Sequence, residues 1–391
     1  ICSLNEGVLR LAFSCLMRLD KEGDLTDYRF VKSIIRSRVK GVYSEINALL
    51  AGTADAEIKA KYADVIDQLP AMKELYGHRA RLRKERGCMD IESGEVKLIL
   101  DENGRCIDVK KRTSGESESM IEEFMLLANQ CAAHFARVKQ IPFVYRVHDV
   151  PDPERIQKLS TFISNYGYYM KALGRRNSKV STEEIHPKEI QKLLSRAAGT
   201  PEEAMLSRLA LRSMKQAKYT TDCVGHFGLA ARYYTHFTSP IRRYPDLQIH
   251  RIIKENLHGR LGEKRLSHYG KLLPEAAVWT SSRERLAEEA ERETEKAKKV
   301  QYMERRIGEV FDGVISGISN YGFYVELPDT VEGMVHVSEL DGDYYVFDEA
   351  HYELVGERTR KRFKLGQPIR VQVVAVDRYL KTIDFLPVRE F

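Results

Sequence analysis

The feature of this sequence that most constrains its fold is a change of hydrophobic pattern near Ile307. Beyond that residue, apolar side chains alternate over short runs that are separated by glycine-containing turns. Alternation with a period of two indicates half-buried strands, and several short strands in close succession favour a small barrel. The predicted strands are Glu309–Ile315, Gly322–Leu327, 333–337, Pro368–Val376 and Thr382–Leu386. The pattern therefore predicts an all-β barrel of the OB type over residues 307–391.

Residues 1–306 mix helical and strand patterns, which predicts an α+β domain ahead of the barrel. Two hairpins are expected, one joining strands at 9–19 and 27–35 and one turning at Asn103-Gly104, the strongest short hairpin signal. The predicted helices cover 44–51, 54–85, 119–137 and 281–306, and others begin at Asp152, Thr200 and Ser239. Two helix starts match the capping-box pattern, Ser119 with Glu122 and Thr200 with Glu203.

Composition and charge narrow the class of protein without identifying its function. The 391 residues are 43% hydrophobic and 31% charged, which is typical of a globular chain of two or three domains and argues against disorder. The formal net charge of +6 permits an anionic partner. The six cysteines lack zinc-ligand spacing and favour buried thiols in a reducing cytoplasm, and no apolar run could cross a bilayer. We therefore expect a cytoplasmic protein with no membrane partner and no small-molecule cofactor.

The segment most informative about function surrounds two adjacent arginines. Ser239 can cap a helix that has Pro240 in its first position and runs to about Glu255, which would put Arg242 and Arg243 in the first turn. Positive side chains there oppose the helix dipole and forgo roughly 0.3–1 kcal/mol each, a conflict that a bound phosphate would resolve. The alternative is that the arginines pair with carboxylates elsewhere in the fold.

Aromatic and imidazole side chains are interleaved with these arginines. His236, Phe237 and Tyr244 flank the pair within nine residues of sequence. Single-stranded nucleic acid suits such a mixture, because bases stack on rings while phosphates pair with arginine. The favoured interpretation is therefore an anion site for RNA, with His236 and Tyr244 among the contacts.

The same segment resembles the signature of the RNB-domain exoribonucleases, the ribonuclease II and ribonuclease R group. The sequence Ser-Pro-Ile-Arg-Arg-Tyr-Pro-Asp-Leu is more similar to the ribonuclease R branch. Further motifs of the family are matched in the same order at 1–5, 35–37, 120–125, 145–148 and 290–293. The resemblance covers nearly the whole chain. It implies a ribonuclease domain over 1–306 that lacks its N-terminal part. It also implies hydrolysis of single-stranded RNA from the 3′ end to nucleoside 5′-monophosphates with two divalent metals, normally Mg²⁺.

The resemblance assigns roles to particular residues. Arg242 stands where the family has a catalytic arginine that contacts the scissile phosphate, and Arg243 is a second candidate for that work. Tyr43 matches a tyrosine near the 3′-terminal nucleotide, Glu122 a glutamate that contacts the terminal ribose, and Glu291 a glutamate that helps to orient the active site. The residues alone leave alternatives open. Tyr43 could be a core tyrosine, Glu122 a capping residue, and Glu291 a solvated charge.

Two features depart from the pattern of the family. Where the family stacks the last bases on an aromatic ring after an Arg-Gly motif, this chain has Ile91. The family's aspartate cluster lies several dozen residues before the motif with which this chain begins. No other set of residues here offers the converging carboxylates that a pair of hard metal ions requires. We therefore expect the metal ligands upstream of Ile1, in the rest of a parent chain, and a fragment that is inactive alone.

The barrel resembles the RNA-binding module repeated in ribosomal protein S-one. The matching runs are 313–315, 320–325 and 332–340. Strand alternation directs Phe323, Val325 and Leu327 into the barrel and turns Tyr324 and Glu326 outward.

An outward Tyr324 has a specific consequence for RNA binding. With Tyr321 and His336 it would form a stacking platform, worth roughly 1–3 kcal/mol per base. Lys381 and Arg378 would add contacts to phosphates. The alternative is a barrel that only braces its neighbour, with Tyr324 covered by the long helix.

The sequence leaves two classes of function in competition. One is the exoribonuclease described above, and the other is an RNA-binding protein without catalytic activity. A chain with RNA contacts but no aspartate cluster could bind RNA and never cut it. The gene of the parent protein discriminates between them, because an upstream aspartate cluster supports the enzyme.

Overall fold

The computed structural model describes residues 2–89, 96–170, 185–200, 202–348 and 351–388. Ile91, at which the sequence departs from the pattern of the family, lies outside these ranges. The chain forms two compact units, of which the first comprises 1–89, 114–150 and 215–284 and the second comprises 90–113, 151–214 and 285–391. Neither unit is continuous in sequence, because the chain passes repeatedly from one to the other.

The helices of the described residues are α1 (Tyr43–Leu50), α2 (Ala56–Lys61), α3 (Leu69–Arg86), α4 (Glu116–Lys139), α5 (Pro153–Ser164), α6 (Pro187–Ala197), α7 (Glu203–Ser213), α8 (Tyr244–Leu257) and α9 (Glu263–Met303). Short 3-10 turns lie at Ile66–Gln68, Glu304–Arg306 and Val337–Glu339. The prediction of one helix over 54–85 is wrong, because α2 and α3 are separate helices with a 3-10 turn between them.

The strands are β1 (Leu9–Leu19), β2 (Leu25–Arg36), β3 (Val96–Leu100), β4 (Cys106–Lys111), β5 (Tyr145–Val147), β6 (Lys218–Thr220), β7 (Val310–Ser319), β8 (Gly322–Glu326), β9 (Glu332–His336), β10 (Tyr345–Asp348), β11 (Glu353–Gly356), β12 (Arg362–Lys364), β13 (Pro368–Asp377) and β14 (Thr382–Pro387). Both predicted hairpins form, as the antiparallel pairs β1–β2 and β3–β4. The chain is therefore α+β, as predicted.

The first unit packs α4 and α8 against the β1–β2 hairpin. Phe30 of β2, Cys131 of α4 and Ile249 of α8 are members of one buried cluster. The apolar residues of α4 recur at helical spacing and form a stripe along one face. This face of the helix is buried in the unit.

The start of α4 differs from the prediction in a way that matters for Glu122. The helix begins one turn early, and the carboxylate of Glu118 accepts the N–H of its N-cap residue Gly115 at 3.1 Å. The Ser119 hydroxyl donates to the Gly115 carbonyl at 3.1 Å, so the predicted capping box of Ser119 with Glu122 is wrong. The predicted box of Thr200 with Glu203 does not form either, since the Thr200 hydroxyl donates to the Ala197 carbonyl.

The second unit contains the predicted barrel. Strands β13, β14, β9, β8 and β7 close in that order. Phe323, Val325 and Leu327 are buried in its core, which confirms the predicted alternation. Gly322 opens β8 with a positive φ of 142°, and a Cβ there would lie 2.0 Å from the carbonyl oxygen of Val335. Beside the barrel, β10–β11–β12 form a separate antiparallel sheet that the sequence did not predict.

Candidate nucleic-acid interface

The two adjacent arginines lie in a tight turn that precedes a helix. The N–H groups of Arg242 and Arg243 donate to the carbonyl of Ser239 at 3.3 and 3.0 Å, and α8 begins only at Tyr244. The prediction that both arginines lie in the first helical turn is therefore wrong. Pro245 gives the reason, because it has no N–H to donate to the carbonyl four residues earlier and is tolerated only at a helix start.

Arg243 is committed to a structural ion pair. Its Nε and Nη2 donate to the two carboxylate oxygens of Asp246 at 2.9 and 2.8 Å. Asp246 is fully buried and also accepts the N–H of Ser239 at 2.7 Å. The sequence left open the alternative that the arginines pair with carboxylates. For Arg243 this alternative is correct. This pair joins the turn to the first turn of α8.

Arg242 differs from its neighbour in every respect that matters for binding. Its side chain is exposed, and no carboxylate pairs with it in the part of the chain that the structure describes. Ile241 and Tyr244 on either side are 79% and 45% exposed. The turn therefore presents one unpaired guanidinium beside an accessible tyrosine ring, on a backbone that Arg243 and Asp246 hold.

His236 is partly buried and packs against two tyrosines, and its predicted contact with RNA stays a prediction. Its Nδ1 is 2.8 Å from the hydroxyl of Tyr219, and its ring packs edge-on against Tyr219 and Tyr234. Burial, together with the charges of Arg243 and Arg146, lowers the pKa of His236 to about 2. The ring is therefore neutral at physiological pH and supplies no positive charge to RNA.

Two other histidines of this segment are also interior. Burial, with the charge of His148, lowers the pKa of His226 to about 3. His250 lies 2.7 Å from the carbonyl of Phe237 through its Nε2, and burial lowers its pKa as well.

Glu122 lies on α4 opposite a group of arginines from α3. Its carboxylate is 58% exposed and 3.8 Å from Nη1 of Arg83, whose Nε is 3.1 Å from the buried carboxylate of Glu123. Burial raises the pKa of Glu123, while Arg83 and Arg79 act in the opposite direction. Since Glu122 takes no part in the helix cap, the capping alternative no longer accounts for it.

Tyr43 lies on α1, which packs against α4. It is the first residue of α1 and is 44% exposed, so it is not a core tyrosine. Its backbone carbonyl accepts the hydroxyl of Ser117 at 3.1 Å, which ties α1 to the first turn of α4. Tyr43 and Glu122 thus occupy neighbouring helices of the first unit.

Glu291 belongs to the second unit. It is exposed on α9 and lines a shallow depression together with Val96, Leu98 and Glu295. This exposure agrees with either of its interpretations, an active-site carboxylate or a solvated charge.

The barrel presents the predicted aromatic side chains to solvent. Tyr321 is 71% exposed and Tyr324 is 39% exposed, so the long helix does not cover Tyr324. Gly322 pairs with His336 across β8 and β9, which sets the imidazole close to Tyr321 in the register. The Nδ1 of His336 accepts the N–H of Ser338 at 3.3 Å.

The two cations predicted at the barrel surface are already paired. Lys381 forms an ion pair with Glu293, and Arg378 forms one with Glu304. Their charges are therefore largely neutralised, which weakens the prediction that they contact phosphates.

The described ranges contain no group of three or more His, Cys, Asp or Glu side chains that could hold a metal ion. A pair of hard divalent cations needs converging carboxylates, so these residues do not fit a two-metal centre. The six cysteines are free thiols, but the prediction that they are buried holds only for Cys88, Cys106 and Cys131. None of the described helices combines the length and the hydropathy that a membrane span requires.

Sequence reasoning missed the partners that fix this site. Asp246, three residues beyond Arg243, could have been anticipated from the spacing of helical ion pairs. Arg146 pairs with Glu284, 138 residues away, and its guanidinium lies 4.7 Å from the ring centroid of Tyr219. No local pattern in the sequence signals a partner at that separation.

Comparison with known proteins identifies two families in this chain. The family model of the RNB domain matches residues 1–259, and that of the S1 RNA binding domain matches residues 304–386. Ribonuclease R 1 of Lactococcus lactis is 42% identical over 98% of this chain and 46% of its own length. The chain spans about half the length of the curated relatives that it matches.

Solved structures agree with this assignment at the level of the fold. The apo form of Mycoplasma genitalium RNase R matches with a TM-score of 0.90 and 24% identity, over 99% of this chain and 59% of that one. Yeast Ssd1, a pseudonuclease, matches with a TM-score of 0.67 and 19% identity, over 91% of this chain and 43% of that one. The chain belongs to the RNB-domain family and carries an S1 RNA binding domain after the RNB portion.

Proposed function

We propose that this chain is part of a processive 3′→5′ exoribonuclease that hydrolyses single-stranded RNA to nucleoside 5′-monophosphates. The observation that carries the proposal is the division of labour between two adjacent arginines. Arg243 is bound to buried Asp246, while Arg242 projects unpaired from the turn that they fix. The resemblance of this segment to the family motif, and relatives named ribonuclease R, support an enzyme over a general RNA binder.

Each site residue has a role that its surroundings support. Arg242 would contact the scissile phosphate and stabilise the charge that develops on its oxygens. Exposed Tyr43 and Glu122, on adjoining helices, would hold the base and ribose of the last nucleotide. Arg243 would act as a positioning residue for Arg242. The resemblance gives Glu291 the role of a glutamate that helps to orient the active site, and this role remains part of the proposal.

The divalent metals expected for this family, normally Mg²⁺, would activate water and stabilise the leaving oxygen. The described residues do not offer the carboxylates for such a centre, so no step of the reaction is assigned to a metal on this chain. We propose that the ligands belong to another part of a longer parent protein, which agrees with the half-length coverage of the relatives. The fragment alone would then bind RNA without cutting it.

The barrel would provide a further binding surface for single-stranded RNA. Exposed Tyr321 and Tyr324, with His336, would stack on successive bases, which requires no particular sequence. We also propose that the boundary between the nuclease domain and the RNA-binding barrel lies near residue 306. The protein is proposed to act in the cytoplasm.

A second candidate function is RNA binding without catalysis. Two observations favour it, the absence of a metal-binding cluster within the described ranges and the same fold in a pseudonuclease, yeast Ssd1. Fold similarity therefore does not by itself establish cleavage.

Digestion of a 5′-labelled single-stranded RNA in the presence of Mg²⁺ tests the proposal, with this chain compared to the longer protein from which it derives. We expect the longer protein to shorten the RNA from its 3′ end while the chain only retards it in a native gel. Failure of both proteins to cut, although both bind, would replace the exoribonuclease with the RNA binder. Cleavage by the chain alone would refute the location that we propose for the metal ligands.

A further inference from the structure

A group of basic and aromatic side chains lies at the far end of α4 from Glu122. We call it the α4-end patch, and its members come from three parts of the first unit. They are Tyr28 of β2, His134 and Arg137 of α4, and Arg232 and Tyr233 of the segment before the arginine turn. The proposed active site uses none of them.

The rings of the α4-end patch form a continuous row. The hydroxyl of Tyr28 is 2.7 Å from Nδ1 of His134, and their ring centroids are 5.7 Å apart. The ring of His134 lies 5.7 Å from that of Tyr233. The guanidinium of Arg232 lies 5.2 Å from the ring centroid of Tyr233, so a cation ends the row.

The charge of the patch is predominantly positive. Arg137 and Arg232 are exposed, and neither forms an ion pair with any residue that the structure describes. Arg137 follows His134 by three residues of α4, which puts the two side chains on one side of the helix, and Arg232 lies over the ring of Tyr233. Asp27, next to Tyr28, is the neighbouring acidic group, and its charge contributes to raising the pKa of Tyr28.

This arrangement fits a ligand with both phosphates and bases. His134 is exposed, while Tyr28 and Tyr233 pack against the buried cluster of the first unit and are only partly buried, so the row of rings remains partly accessible to a ligand. Aromatic rings beside unpaired arginines suit single-stranded nucleic acid, because bases stack while phosphates pair with guanidinium groups. An acidic peptide would engage the arginines but would leave the rings unused.

We propose that the α4-end patch is a second contact surface for single-stranded RNA, which binds a part of the strand other than its 3′-terminal nucleotide. The inference rests on the proposed function in so far as the chain is taken to bind RNA. Arg137 follows Glu122 by 15 residues of one helix, a separation of roughly 22 Å at 1.5 Å per residue. A very short RNA can therefore occupy only one of the two places.

Fluorescence anisotropy with this chain tests the proposal, using 5′-labelled single-stranded RNAs of about 4 and about 30 nucleotides over a series of KCl concentrations. The test variant is Arg137→Ala/Arg232→Ala. The matched control is Arg260→Ala/Lys264→Ala, which removes two exposed cations that have no ion pair among the described residues of the same unit. For the longer RNA we expect the patch variant to bind roughly tenfold more weakly. Its salt slope should be shallower by about 1.4, as the loss of two phosphate contacts to a single strand requires. The short RNA and the control variant should show no change.

The outcomes separate this proposal from the function on which it rests. If the patch variant binds the long RNA like wild type while Arg242→Ala binds it more weakly, the patch is not a contact surface and RNA binding stands. If the control variant loses as much affinity as the patch variant, net charge explains the effect and the proposal is wrong. If the unmodified chain binds neither RNA, both proposals fail. Should the double variant lose its structure, Arg137→Glu at the solvated end of α4 provides the same measurement.

Discussion

Two neighbouring arginines with the same side chain have different surroundings, and this difference organises the candidate site. Arg243 is held by a carboxylate that is fully buried, whereas Arg242 is exposed and unpaired within the described ranges. Removing one partner of a buried ion pair leaves a charge without compensation, while removing an exposed charge costs little. The two residues should therefore respond to mutation in different assays.

We expect Arg243→Ala to lower the free energy of unfolding by roughly 3–5 kcal/mol, because the buried carboxylate of Asp246 loses its partner. Arg242→Ala should change it by less than about 0.5 kcal/mol and should instead weaken RNA binding. Urea denaturation followed by circular dichroism, with anisotropy on a labelled RNA, measures both effects. Equal loss of stability in the two variants would contradict the assignment of Arg243 as the positioning residue.

At the scale of single elements, the junction of α1 and α4 depends on one amide side chain. Asn47 of α1 accepts the N–H of Ser117 at 2.8 Å and donates to the carboxylate of Glu118 at 3.0 Å. A Cβ at Gly115 would lie 2.1 Å from Nδ2 of Asn47, whereas the φ of -90° at Gly115 is one that any residue can adopt. The glycine is required by this contact rather than by its φ angle.

A double-mutant cycle tests this contact. Asn47→Ala should destabilise the chain by about 1–3 kcal/mol, because a buried N–H and a carboxylate lose their partner. Gly115→Ala should also destabilise the wild-type chain, but it should cost much less when Asn47 is already alanine, because the clash is gone. Free energies of unfolding of the four proteins give the coupling. Additivity within about 0.3 kcal/mol would show that the two residues do not interact.

Elements with a clear periodic pattern were predictable, and elements fixed by distant partners were not. The barrel strands followed from alternation, and the hairpin turn followed from Asn103-Gly104. The helix α6 carried a usable signal, since Ile190, Leu193 and Ala197 have helical spacing, but it was not predicted. The strands β10–β12 have only three or four residues each, too few for a period to be recognised.

The candidate site was predictable to the same extent. The motif located Arg242, and its exposure agrees with the role that the resemblance implied. The surroundings of His236 could not be foreseen, because its partner Tyr219 lies 17 residues earlier and no local pattern links the two. The start of α8 was in principle readable, since Pro245 marks it, but Ser239 and Pro240 offered a competing start.

At the scale of the whole molecule, the neutral interior histidines make stability depend on pH. The pKa of His226 is lowered to about 3 and that of His236 to about 2, whereas an unfolded histidine titrates near 6.5. Below about pH 6.5 the unfolded chain takes up protons that the folded chain refuses, so stability is complete above that pH and is lost as the pH falls toward 3. For each of the two histidines, the free energy of unfolding then falls by up to about 1.4 kcal/mol for each unit by which the pH decreases.

Urea unfolding at pH 7, 6 and 5 measures this slope. We expect the free energy of unfolding to fall between pH 6 and 5, and we expect His226→Asn to reduce the slope. The control is His258→Gln, which alters an exposed ring and should leave the slope unchanged. A stability that is constant from pH 7 to 5 would contradict the interior, neutral state of these histidines.

The discontinuity of the second unit limits how its barrel can be moved between proteins. Cys106 and Val109 of the β3–β4 hairpin, and Val300 and Met303 near the end of α9, belong to the same buried cluster as the barrel interior. A gene fusion that transfers only residues 307–391 would leave these four residues behind, and the apolar surface that they cover on the barrel would become exposed. For recombination and for grafting onto other enzymes, the transferable module is therefore defined by packing and includes segments that are distant in the gene.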